Sequence, residues 1–76
     1  MEQIISILSG IRPDVDFEKE EELIDGGVLG SFDVVELIGE LNDAFGISIG
    51  IPDILPENFN SAERIEKLIN RLQNEG

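Results

Sequence analysis

Seventy-six residues carrying a net charge of −12 make one small, strongly acidic domain spanning residues 1–76. A chain of this size buries only roughly 60% of the surface its unfolded form exposes, so its core is thin, though 41% hydrophobic residues can still fold it without staples. The absence of cysteine and histidine removes disulfides, thiolate metal sites and the commonest general base, and five Lys and Arg against 17 Asp and Glu argue against nucleic acid and anionic membranes.

The first apolar set, Ile4, Ile5, Leu8 and Ile11, recurs at helical spacing and predicts a helix from about Glu2 to Ile11, stopped by Pro13. This N-terminal stretch is too short and too acidic at its start for a signal peptide, and no apolar run could span a bilayer. The expectation is therefore a soluble, cytoplasmic protein, monomeric and without membrane insertion. A long connection follows, from about Arg12 to Gly30, in which Val15, Phe17, Leu23, Ile24, Val28 and Leu29 read as apolar pins. Connections of this length inside compact domains tend to be functional. Glu18–Leu23 has the composition for one helical turn.

The second helix is predicted from Ser31 to Phe45, with an apolar stripe of Phe32, Val35, Ile38, Leu41 and Phe45 widened by Val34 and Leu37. Gly46 supplies its stop, and Gly39 inside it leaves either close packing or a bare spot. Ile47-Ser48-Ile49 alternates like a strand with nothing obvious to pair with, and Gly50, Pro52 and Pro56 break the next stretch except for a short helical turn near Pro56–Phe59. The last helix runs from about Ser61 to Gln73, capped by Asn60 or Ser61, with Arg71 near its end and Ile65, Leu68, Ile69 and Leu72 as its buried stripe. Together these elements predict an all-α fold: a small antiparallel bundle of three main helices plus one short helix, with a long loop between the first and second helices.

Such a chain has little chemistry of its own. A serine nucleophile needs a base, and Lys19, in the solvated run EKEEE, would stay protonated. Paired carboxylates need burial to raise one pKa, which a thin core does not give. The chain therefore reads as no enzyme, with no catalytic residue. Asp14, Asp16, Glu18, Glu20, Glu22 and Asp25 match the ligand spacing of a calcium loop. However, Lys19 replaces the glycine of the sharp turn and Asp25 the bidentate glutamate, so no metal site is predicted. Ser31 stands at the mouth of the second helix, where free N–H groups and the helix dipole favour a phosphate ester. On residue type alone a plain N-cap is the better reading, since Ser is among the preferred caps.

From Gly27 to Ile49, "GVLGSFDVVELIGELNDAFGISI" resembles the acyl carrier protein family, whose second helix opens on an Asp-Ser-Leu motif. The resemblance extends over nearly the whole chain, and "LIDGGVLGS" is closest to the freestanding D-alanyl carrier type. It implies that Ser31 is esterified with 4′-phosphopantetheine, whose terminal thiol carries an acyl or aminoacyl group as a thioester. It also implies that Asp33, Glu36, Glu40 and Asp43, with Phe32 and Val35 as apolar anchors, dock partner enzymes bearing basic patches. Those partners would be a phosphopantetheinyl transferase and an adenylating ligase or an acyltransferase or synthase, in lipid or cell-wall biosynthesis. Cargo would hang free on the arm or tuck between the second and last helices near Leu41, Ile65 and Leu68, residues that read more readily as plain core. The sequence departs from the family in having Gly30 for the Asp before the serine and Phe32 for the Leu after it. The family's Asp caps the helix and lies near the transferase's metal. The alternative reading is an acidic helical docking protein, related to carriers, that takes no prosthetic group.

Overall fold

Ile4 and Leu8 lie one turn apart and are buried, which sets the inner face of helix α1 (Glu2–Ile11). The structure, a computed structural model describing residues 1–75, continues with α2 (Ser31–Phe45), a 3₁₀ turn (Ile51–Asp53), α3 (Pro56–Phe59) and α4 (Ala62–Glu75). No strand occurs among the described residues. The first two helices and the short one fall where the periodicity put them, and the last begins one residue later and ends two residues later than expected.

α1 packs against α2 and α4, and α3 against α4, around a core that includes Leu8, Leu37, Leu41, Phe59, Ile65, Leu68 and Ile69. Leu41, Ile65 and Leu68 are fully inside this core, so the place considered for cargo is filled by their own packing. The apolar stripe of α2 is shifted from the one expected. Leu37 and Leu41 are buried, Val34, Ile38 and Phe45 lean on the core, and Phe32 and Val35 face outward. Seven apolar residues in fifteen exceed what one core-facing stripe can hold, so periodicity alone did not single out the two that are exposed.

The 12–30 connection is part of the core. Phe17, Leu23 and Leu29 are buried, and Val15, Ile24 and Val28 pack around them. In place of the one helical turn expected over Glu18–Leu23, two turns form on either side of Glu21. The Lys19 and Glu20 N–H groups donate to the Asp16 carbonyl in one turn, and Gly26 closes a second on Glu22 at 2.7 Å. Only glycine fits there: a Cβ on Gly26 would lie 2.6 Å from the Glu22 carbonyl oxygen, and Gly27 has φ 71°.

Asn60 ties this loop to the junction of α3 and α4. Its carbonyl accepts the Leu23 N–H at 2.9 Å, its Oδ1 accepts the Ile24 and Asp25 N–H groups at 3.0 and 3.1 Å, and its Nδ2 donates to Asp25 Oδ2 at 2.9 Å. Ser61 is left to cap α4, its Oγ accepting the Arg64 N–H at 3.2 Å. Arg71 is not in the last turn as expected, because α4 runs on to Glu75, and it reaches Asp53 in the 3₁₀ turn at 2.7 Å. α2 ends on Gly46 in the left-handed conformation. The 47–49 stretch is held without a partner strand, the Ile49 N–H donating to Asn42 Oδ1 at 3.0 Å.

Replacing Asn60 by Ala leaves the Ile24 and Asp25 N–H groups without their acceptor. We expect a loss of about 1–3 kcal/mol in unfolding free energy by urea denaturation. A change below the error of that measurement would mean that the apolar pins hold the loop alone.

Candidate functional site

The loop delivers the chain to α2 through Leu29, whose side chain is buried and whose N–H donates to the Leu23 carbonyl at 2.8 Å. One residue later the chain reaches the surface. Gly30 is the N-cap, with φ −87° and ψ 177°, and Ser31 is the first helical residue, exposed to solvent. The N–H groups of Ser31, Phe32 and Asp33 are in the first turn, where helix geometry gives them no acceptor, and Val34 makes the first intrahelical bond, to the Gly30 carbonyl at 3.0 Å. Ser31 is thus an exposed hydroxyl beside outward-directed N–H groups at the positive end of a fifteen-residue helix.

Glycine has no side chain to cap this helix, and Asp33 supplies half of a capping box from within. Its Oδ2 accepts the Gly30 N–H at 3.1 Å. The same oxygen lies 3.4 Å from Arg12 Nη1, which also donates to the Val28 carbonyl at 2.9 Å. Arg12 Nε and Nη2 reach Asp14 Oδ1 and Oδ2 at 3.3 and 3.4 Å. Hydrogen bonding from Arg12 holds the Asp14 carboxyl below its ordinary pKa, and bonding to Asp14 raises the Arg12 guanidinium above its own. The depressed carboxyl pKa stabilises the fold above its ordinary value and ceases to do so as pH falls through the lower folded value.

Of the residues singled out in the sequence, Ser31, Phe32, Val35, Glu36, Glu40 and Asp43 are all exposed on α2. Phe32 is 92% and Val35 69% exposed. Glu36, Glu40 and Asp43 pair with no cation among the described residues. Asp33 stands apart: its carboxylate is half-buried and committed to Gly30 and Arg12. Gly39 opens outward, and a Cβ there would meet nothing. Sequence reasoning passed over Arg12, and also Ile51, Ile54 and Leu55, apolar side chains left exposed around the 3₁₀ turn. The signal for the latter was available, since a segment broken by Pro52 and Pro56 is too short to turn all its apolar residues inward.

Two grooves of the surface lie away from Ser31. One of about 450 Å³ is lined by Met1, Ile5, Phe17, Ala62 and the charged 18–21 run, and another of about 300 Å³ lies between α1 and α2 beside Glu36 and Glu40. Neither includes Ser31. Among the described residues no three Asp, Glu, His or Cys gather where they could hold a metal ion, and no helix is long and apolar enough to cross a membrane.

A small acidic helical bundle that exposes one serine at the head of its central helix, with no catalytic group beside it, has the form of an acyl-carrier-type protein. No family model matches the chain. It is 41% identical over 61 residues to the D-alanyl carrier protein of Streptococcus uberis, covering 80% of this chain and 77% of the relative. It is 33% identical over 73 residues to that of Streptococcus sanguinis, covering 95% and 92%, and 38% identical over 61 residues to that of Streptococcus mutans, covering 80% and 77%. The chain belongs to the D-alanyl carrier protein family. It is a carrier and not itself an enzyme, and carriers of this family hold their cargo as a thioester on a phosphopantetheine group.

Because Phe32 contributes no burial, Phe32→Ala should change the unfolding free energy by less than about 0.5 kcal/mol, whereas Leu37→Ala should cost about 2–5 kcal/mol. Equal losses in urea titrations of the two variants would contradict the outward placement of Phe32.

Proposed function

We propose that Ser31 carries 4′-phosphopantetheine and that the acidic face of α2 presents the loaded arm to partner enzymes. The observation that carries this reading is the single exposed hydroxyl at the first position of α2. The residues around it fit the group. The free N–H groups of the first turn suit a phosphodiester. Ser31 is exposed, and the cap beside it is open, since a Cβ on Gly30 would meet only Asp33 Oδ2, at 3.8 Å. When attached, the group supplies the thiol that this cysteine-free chain lacks.

The relatives are named for D-alanyl, and D-alanine is the cargo we assign to this chain. The partners are then a phosphopantetheinyl transferase, an aminoacyl-adenylating ligase that loads the thiol, and an acyltransferase that takes the cargo onward. Coenzyme A and ATP, which the first two consume, place the work in the cytoplasm. Glu36, Glu40 and Asp43 supply long-range attraction to basic patches, and Phe32 and Val35 the short-range apolar contact. Asp33 acts mainly within the molecule, as a helix cap. Docking of this kind is fast, brief and weakened by salt, which suits a carrier that meets several enzymes in turn. A charge of −12 also keeps copies of the chain apart, in keeping with a monomer.

Incubation with coenzyme A and a broad-specificity transferase should raise the intact mass by about 340 Da, the added phosphopantetheine. The Ser31→Ala variant should gain nothing. An unchanged mass for the parent protein, with partner binding retained, would favour the adaptor reading that Gly30 keeps open.

A further inference from the structure

We infer that Arg12 is a positioning residue for Ser31, fixing the first turn of α2 so that the backbone bearing the hydroxyl is held in one place. This rests on the reading of Ser31 as the attachment point. The Ser31 side chain is exposed and makes no hydrogen bond among the described residues, so the backbone of the first turn, which sets where its Cβ lies, is all that positions the hydroxyl. Buried Leu29 sets where that backbone emerges, and the Val34 N–H bond to the Gly30 carbonyl at 3.0 Å begins the helix. Gly30 has no side chain to pack, and its extended conformation is one that any residue adopts. On its N–H side, Gly30 is fixed by the bond to Asp33 Oδ2.

The Asp33 carboxylate is in turn held by Arg12. The guanidinium makes four hydrogen bonds, to both oxygens of Asp14, to the Val28 carbonyl and to Asp33 Oδ2. It thereby joins the end of α1, the last residues of the loop and the first turn of α2 within a single planar group. With four of its five N–H donors engaged on the protein, Arg12 acts through Asp33 and Gly30. A lysine would keep the charge but not the fork that reaches all three segments.

The consequence is a kinetic signature distinct from that of a docking residue. Loss of Arg12 leaves the exposed acids of α2 unchanged, so the transferase still binds, but the hydroxyl wanders from its reactive position. Small displacements of a reacting atom cost chemistry more than binding. For transferase-catalysed modification, Arg12→Ala should lower kcat about tenfold with KM within about twofold, while Glu36→Lys should act mainly by raising KM. Arg12→Lys should recover only part of the lost kcat.

The Gly30 amide supplies a readout independent of the enzyme. Its hydrogen exchange should accelerate about tenfold in Arg12→Ala at a temperature where circular dichroism shows full helicity, because its acceptor is no longer held. Asp33→Ala should give a similar kcat loss, and the double variant little more than either single, as for groups acting in one chain of contacts. Unchanged kcat in folded Arg12→Ala, full rescue by Lys, additive losses or unaltered Gly30 exchange would each overturn the inference. If the parent protein takes no phosphopantetheine, the reading of Ser31 fails instead, and the Gly30 exchange still decides whether the clamp exists.

Discussion

The presentation of Ser31 depends on how the 12–30 connection is held to the helices. A nineteen-residue segment without helix or strand would ordinarily be the loosest part of so small a protein. Here it contributes Phe17, Leu23 and Leu29 to the core and closes on itself and on Asn60 through backbone hydrogen bonds. Each of these pins costs conformational entropy that only burial and hydrogen bonding can offset. The last pin, Leu29, sits two residues before Ser31, so the place where the chain emerges at the head of α2 is set by the core.

From that point the molecule divides its surfaces. The inner side of α2 is given to packing through Leu37 and Leu41, and its outer side keeps exposed acids and two exposed apolar residues. Exposed ion pairs contribute little to stability, so leaving Glu36, Glu40 and Asp43 unpaired costs the fold almost nothing and keeps their charge available for encounter. The cations near the bundle's joints do different work. Arg12 closes the seam between α1, the loop and α2, and Arg71 fastens α4 to the 3₁₀ turn. These two arginines join elements, whereas Lys67 pairs within α4 with Glu63 and the acids Glu36, Glu40 and Asp43 face outward.

Much of this was legible in the sequence. The helices α1, α2 and α3 followed from apolar spacing, Pro13, Gly46 and Pro56, because these signals are local. The buried identity of Phe17, Leu23 and Leu29 was legible too, since apolar residues among so many acids have few other places to go. The facing of Phe32 and Val35 was not, because α2 carries more apolar residues than its core side holds. Arg12 was invisible for another reason: its partners Val28 and Asp33 lie 16 and 21 residues away, and no local pattern marks a contact made across a loop. Asn60 read as a helix cap, and its use as the loop's anchor, 35 and 36 residues from its partners, was equally hidden.

Native-state hydrogen exchange of the Leu23 and Leu29 amides tests most directly whether the loop is built into the core. Both N–H groups bond within the loop and to Asn60, so they should exchange only when the whole domain unfolds, with the same opening free energy and denaturant dependence as the Leu41 amide in α2. Exchange through a separate, lower-energy opening that leaves Leu41 protected would show the loop to be an independent, loosely held unit. The core would then no longer fix where Ser31 emerges.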